Sequence, residues 1–199
     1  MPQWTKRPVE DLTPRQRAAY EQRVEAIAVA AEQLMRERGA GVTMADVAQA
    51  AGIGMSSVYR TFASKDELLA ELARRRVGRW AEIWREAQQR EDPRAALVDA
   101  IWAFVGMDRG EQELADAVRA WVLANRDDFL EVARLGETVV ERARDAGLRS
   151  DVNHDDVIRA SELMAALHRS GAPDAWRRVL TIYVDGLFTP GAEPLPNVE

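Results

Sequence analysis

The stretch from Thr43 to Leu69, T-M-A-D-V-A-Q-A-A-G-I-G-M-S-S-V-Y-R-T-F-A-S-K-D-E-L-L, constrains the fold of this chain more than any other. Two helix-start signals bracket it. Thr43 and Asp46 are spaced as Thr-x-x-Asp, and Ser64 and Glu67 as Ser-x-x-Glu, so each pair can exchange side-chain and backbone hydrogen bonds at a helix N-terminus. Val47, Ala48 and Ala51 recur at helical spacing, and Gly52 follows as a residue able to take the left-handed conformation that closes a helix. Gly52-Ile53-Gly54 has the length of the turn in a helix-turn-helix. A second short helix is predicted over 55–62, with Val58 and Phe62 four apart and turned toward the first. Ser56, Ser57, Tyr59, Arg60 and Thr61 are left for its other faces. A short helix whose free surface is built from hydrogen-bond donors suits the major groove of DNA.

Two short amphipathic helices joined by a glycine turn also occur in proteins that never touch DNA. The flanking context separates the cases: a long helix precedes the motif, Tyr59 and Phe62 stand at fixed offsets, and Ser64-Lys65-Asp66 opens the next helix at once. In this combination the stretch resembles the TetR family of bacterial transcriptional regulators. That family pairs a helix reading roughly T-x-x-x-[IV]-A-x-x-[AL]-G-[VI] with a recognition helix ending Y-x-x-F-x-[SN]-K-[ED]-x-L. The matching residues are Thr43, Val47, Ala48, Ala51-Gly52-Ile53, Tyr59, Phe62 and Ser64-Lys65-Asp66-Glu67-Leu68. Gly54 stands where the family often has a Ser or Thr cap, and Ala63 where a Pro is common. Glycine at an N-cap loses only a few tenths of a kcal/mol against Ser, so neither departure threatens the fold.

Periodicity alone predicts an all-α chain. Residues 1–14, with Pro2, Pro8 and Pro14, read as a flexible arm whose Lys6 and Arg7, with Arg15 and Arg17 just beyond, are candidates for phosphate or minor-groove contact. A first helix is expected from Pro14 or Arg15 to Arg38, on the stripe Val24, Ile27, Ala28, Ala31, Leu34 and Met35. After the motif, a helix from Ser64 to about Arg90 would span about 40 Å at 1.5 Å per residue. Further helices are expected over 95–107, 112–124, 127–146, 155–169 and 173–188, followed by a Pro-rich frayed tail. The domain plan is an arm at 1–14, a DNA-binding domain at 15–65 and an effector and dimerisation domain at 66–199.

Charge agrees with that plan once it is divided. Of 199 residues, 30% are charged and the net charge is −6. Residues 1–65 hold nine Lys/Arg against seven Asp/Glu, or +2, and the remainder 18 against 26, or −8. So slight a positive balance puts the affinity on placed contacts and two copies of the domain, while the acidic remainder discourages non-specific binding. A hydrophobic content of 47% describes a soluble globular chain. No apolar run approaches the roughly 18 residues of a membrane span, and the N-terminus, M-P-Q-W-T-K-R-P, lacks an apolar h-region. The absence of cysteine fits a reducing compartment, so a cytoplasmic location is expected.

Catalysis and metal binding are not expected. His154 sits in a polar N-H-D-D stretch that reads as helix capping, and adjacent residues point apart where a zinc site needs three or four convergent ligands. His168 reads as an interfacial or satisfied histidine. No P-loop, dinucleotide-binding glycine pattern or nucleophile elbow is present, and no cofactor is expected.

On the DNA face, Arg60 is the candidate for base readout, since its fork matches guanine O6 and N7. Ser56 shares that face, and Ser57, Tyr59 and Thr43 are candidates for phosphate contact. Lys65 would add charge at a helix start that already favours an anion. The resemblance implies that Tyr59 and Lys65 clamp phosphates. It also implies an effector pocket in the C-terminal region, for which Trp80, Trp84, Trp102, Met107 and Trp121 are the expected lining and a hydrophobic or aromatic small molecule the expected ligand. The last two helices carry apolar stripes, and Met164, His168, Trp176, Leu180, Tyr183 and Leu187 are the expected homodimer face of a four-helix bundle, the alternative being that both stripes face the internal core. Together these readings describe a repressor that binds a palindromic operator in double-stranded DNA as a homodimer. The alternative is an all-α interaction protein whose helix-turn-helix no longer binds DNA.

Overall fold

The computed structural model describes residues 12–39, 41–107, 112–169, 175–191 and 193–196. Every regular element among them is an α-helix: α1 (Pro14–Arg38), α2 (Met44–Ala51), α3 (Met55–Thr61), α4 (Lys65–Gln89), α5 (Pro93–Met107), α6 (Gln112–Ala124), α7 (Arg126–Asp145), α8 (His154–Arg169) and α9 (Ala175–Leu187). The all-α expectation holds, with helix ends within about two residues of those read from periodicity.

Local chemistry sets these boundaries. Thr13 caps α1 through a reciprocal box with Gln16, and Pro14 supplies the fixed φ that suits a first helical position. Thr13 and Pro14 therefore belong to a capped helix start rather than to an arm; Lys6 and Arg7 lie outside the described residues. Gly39 ends α1 at φ 69°, with its N–H bonded to the Met35 carbonyl. Asn153 caps α8 by the same reciprocal device, exchanging bonds of 2.9 and 3.0 Å with Asp156.

The described residues fall into two compact units, one within residues 1–74 and 111–121, the other within 75–110 and 122–199. In the first, α1 lays Ile27, Ala28, Ala31, Leu34 and Met35 against α2 and α3, which contribute Val47, Ala48, Val58 and Phe62. Fully burying such a side chain gains about 1.5–3 kcal/mol.

The second unit has its own core, in which α5 packs on α7 and α8, and α8 on α9. Trp84, Leu97, Ile101, Val105, Val139, Val140, Val157 and Leu180 are almost wholly buried there. Arg142 of α7 closes the C-terminal end of α4, donating to the carbonyls of Gln88 and Arg90, each at 2.7 Å. The Gln88 carbonyl, in the last turn of α4, has no partner inside its own helix. The expected frayed tail is tied down in part: Leu195 N–H donates to Asp151, and Arg149 holds both Asp151 and the Glu193 carbonyl.

The expected dimer face is largely consumed by this core. Met164, Trp176, Leu180 and Leu187 are buried in their own unit. Tyr183 is half-buried and donates its hydroxyl to the Asp156 carbonyl at 3.2 Å; burial pushes its pKa up to about 12. The side chain of His168 lies outside the described residues. The apolar side chains that α8 and α9 leave outward are Leu163, Val179 and Ile182, with Ile182 68% exposed.

Candidate nucleic-acid interface

The candidate interface begins with a cap. Thr43 Oγ1 accepts from Asp46 N–H at 3.2 Å, while the Asp46 carboxylate accepts from both the hydroxyl and the backbone N–H of Thr43, at 2.5 and 2.9 Å. These bonds, the hydroxyl's first, hold the Asp46 carboxyl below the usual carboxylate range. The Thr43 hydroxyl thus fixes the start of α2 and stands exposed there. At the other end, Gly52 takes φ 66° and ψ 27°, which lets Ile53 N–H reach back to the Ala48 carbonyl at 3.0 Å and turns the chain toward α3.

On α3, Val58, Thr61 and Phe62 are buried, and Met55, Ser56, Tyr59 and Arg60 form one exposed face opposite them. Thr61 is a correction to its reading as a free-face residue: it is 1% exposed, and its hydroxyl donates to the Ser57 carbonyl at 2.9 Å. Ser57 is half-buried and accepts from the Arg60 guanidinium at 2.7 Å, which lays Arg60 along its own helix. The second cap follows directly. Ser64 Oγ accepts from Glu67 N–H at 3.2 Å, and the Glu67 carboxylate reaches Ala63 N–H at 2.9 Å, one residue further back than an ideal box. Lys65, first residue of α4, is half-buried and donates to Glu113 of α6 at 2.6 Å. Glu113 carries no local sign of this role, because 48 residues separate it from Lys65. The six expected DNA-face residues, Thr43, Ser56, Ser57, Tyr59, Arg60 and Lys65, thus all fall in the first unit, on the start of α2, on α3 and on the start of α4.

The expected pocket residues are divided between the two units. Trp84 is 1% exposed, its ring 4.8 Å from that of Phe104 and 5.4 Å from that of His154, so it fills the core instead of lining a cavity. Trp102 meets Trp176 edge-on at 5.4 Å. Trp80 and Trp102 keep half-buried surfaces in the second unit, Trp121 belongs to the first, and the Met107 side chain lies outside the described residues. His154, read as a polar capping residue, is instead buried between Gly136 and Trp84, with no hydrogen-bond partner at Nε2. Burial lowers its pKa, against the opposing charges of Asp155 and Glu137. A cleft of about 260 Å³ beside it is lined by Glu137, Val140, Glu141, Arg144, Asn153 and Asp155, a polar wall and not an aromatic one. Among the described residues no His, Cys, Asp or Glu group has the arrangement of a metal site, and no helix is long and apolar enough to cross a membrane.

Residues 27–72 match the family of bacterial regulatory proteins, tetR family. No curated protein sequence matches. Among solved structures, the chain is similar to the TetR transcription regulatory protein from Mycobacterium vanbaalenii, at 26% identity and a TM-score of 0.65, over 87% of this chain and 99% of that one. A TetR transcriptional regulator from Streptomyces coelicolor gives 24% identity and 0.64, over 84% and 99%. LfrR from Mycobacterium smegmatis, a TetR-like regulator solved in complex with proflavine, gives 20% and 0.64, over 89% and 99%.

Proposed function

Since the chain belongs to the TetR family of bacterial regulatory proteins, and so to DNA-binding regulators rather than enzymes, we propose that it is a repressor that binds a palindromic operator as a homodimer. The DNA-binding domain is assigned to residues 15–65, and the effector and dimerisation functions to residues 66–199. The observation that carries the reading is the exposed face of α3, where Ser56, Tyr59 and Arg60 stand opposite buried Val58, Thr61 and Phe62. Arg60 reads a base edge; Thr43, Ser57, Tyr59 and Lys65 hold phosphates.

The dimer is assigned to the outward apolar side chains Leu163, Val179 and Ile182, in place of residues committed to the core. Joined in this way, two recognition helices serve half-sites about 34 Å apart or a longer interval matching the DNA repeat. The effector is a hydrophobic or aromatic small molecule, for which the half-buried indoles of Trp80 and Trp102 are the available contacts. Its binding lowers operator affinity through differential preference for one arrangement of the protein.

A salt titration of duplex binding separates this reading from an interaction protein that has lost DNA binding. Phosphate contacts make log affinity fall linearly with log salt, and a duplex that does not bind at low salt contradicts the proposal. Light scattering at micromolar concentration is expected to give a dimer mass, and Ile182→Asp a monomer, because a charge would enter an apolar contact. A monomeric parent would overturn the dimer.

A further inference from the structure

We propose that Glu113 is an intramolecular stand-in for a DNA phosphate, which holds the Lys65 ammonium and thereby lowers the protein's affinity for DNA. The inference deepens the assignment of Lys65 to the DNA face and rests on it. Its ground is a contact internal to the first unit: Lys65 Nζ lies 2.6 Å from Glu113 Oε2, with both side chains about a third exposed, 31% and 37%.

The partner is delivered by an anchored helix. Glu113 stands in the first turn of α6, and Leu114 beside it and Val118 one turn on are buried. An ammonium is a compact charge with three donors that does not distinguish a carboxylate oxygen from a phosphate oxygen by shape. A phosphate reaching Lys65 must either displace Glu113 or share the ammonium with it. Sharing brings two negative groups within a few ångströms of each other, and like charges that close repel. Either route costs affinity. Arg60 provides the contrast: its guanidinium is held by a neutral hydroxyl, Ser57 Oγ, which can be exchanged for a base edge without separating opposite charges. Of these two cations of the proposed DNA face, Lys65 is therefore the one whose availability is set from elsewhere in the chain. Any displacement of the first turn of α6 changes how much of its charge DNA can use.

The phosphate contribution does not depend on sequence, so the test needs no operator. The probe is a 30-base-pair duplex of arbitrary sequence, with binding to the full-length protein followed by fluorescence anisotropy at low salt. Four variants are compared with the parent: Glu113→Gln, Lys65→Gln, the double variant, and Asp116→Asn. The last removes the same unit charge from the same helix at a residue paired with Arg119. Glu113→Gln is expected to bind about two- to fivefold more tightly than the parent, the scale of a partly exposed ion pair, and Asp116→Asn to gain less. The double variant is expected to exceed Lys65→Gln by no more than the Asp116→Asn gain, because the rest of the Glu113→Gln gain acts through Lys65. The inference is overturned if Glu113→Gln binds no more tightly than Asp116→Asn, or if its gain survives undiminished in the Lys65→Gln background. A Lys65→Gln protein that binds as tightly as the parent marks a different failure, that of Lys65's assignment to DNA.

Discussion

The two units hold their side chains by different means. In the first, short-range bonds set most of the proposed DNA face: Thr43 with Asp46, Ser57 with Arg60, Ser64 with Glu67, each three residues apart, with Lys65 on the distant Glu113 as the exception. In the second, distant residues are brought together: Trp84 against His154, Arg142 on the end of α4, Arg149 on the Glu193 carbonyl. A surface built from local bonds tolerates change in the body that carries it. A core built from distant contacts does not, so substitutions of similar size should have unequal effects at packed and open sites.

The largest effect is expected at Gly136. A Cβ there would run into the His154 imidazole and come within 2.8 Å of Trp84 Cε2, both held in the core. Gly136→Ala should cost about 1–3 kcal/mol by overpacking, read from urea denaturation. Gly78 is also inside a helix, but a Cβ added there would meet nothing within 4 Å. There the same substitution should stabilise by about 0.5–1 kcal/mol through helix propensity alone. Equal effects at the two glycines would break the contrast between a packed and an open site.

A smaller loss, about 1 kcal/mol, is expected for Thr43→Ala, which removes the α2 cap. Because the bonds lost are local, this variant should weaken DNA binding while leaving the fluorescence of the core indoles unchanged. A shift in that fluorescence would show that the cap supports more than its own helix.

Acid should also separate the units. The folded-state pKa of His154 is depressed by burial, so its contribution to stability is complete above the unfolded value of about 6.5 and is lost as pH falls through the folded value. Asp46 has a folded pKa below the ordinary aspartate value of 3.8; its contribution is complete above that value and disappears only in stronger acid. Between pH 7.5 and 5.5 the parent should therefore lose more stability to urea than His154→Gln does. Equal losses would remove His154 as the cause.

This difference in construction also explains what could be read from the sequence. The helix-turn-helix, its caps and the αL glycine were legible because each rests on residues within a few positions of one another. The ends of α5 to α9 were legible from periodicity. The partners were not. Trp84 and His154 are 70 positions apart in number, and nothing near either announces a buried imidazole beside Gly136. The burial of Met164, Trp176, Leu180 and Leu187 was not legible for a related reason: the apolar stripe of α9 runs through Trp176, Val179, Leu180, Ile182, Tyr183, Val184 and Leu187, wider than one core-facing side requires. Its width signalled two faces, but only the packing tells which of them, Trp176 with Leu180 or Val179 with Ile182, turns inward.

The most direct test of the DNA-binding claim is selection of bound sequences from a random duplex library, run in parallel on the parent and on Arg60→Ala. The parent is expected to enrich an inverted repeat. Arg60→Ala should relax the preference at one base position in each half-site, at a cost of about 1–3 kcal/mol, with the rest of the repeat unchanged. Enrichment of no sequence by the parent, or an identical repeat from both proteins, would contradict base readout by the exposed face of α3.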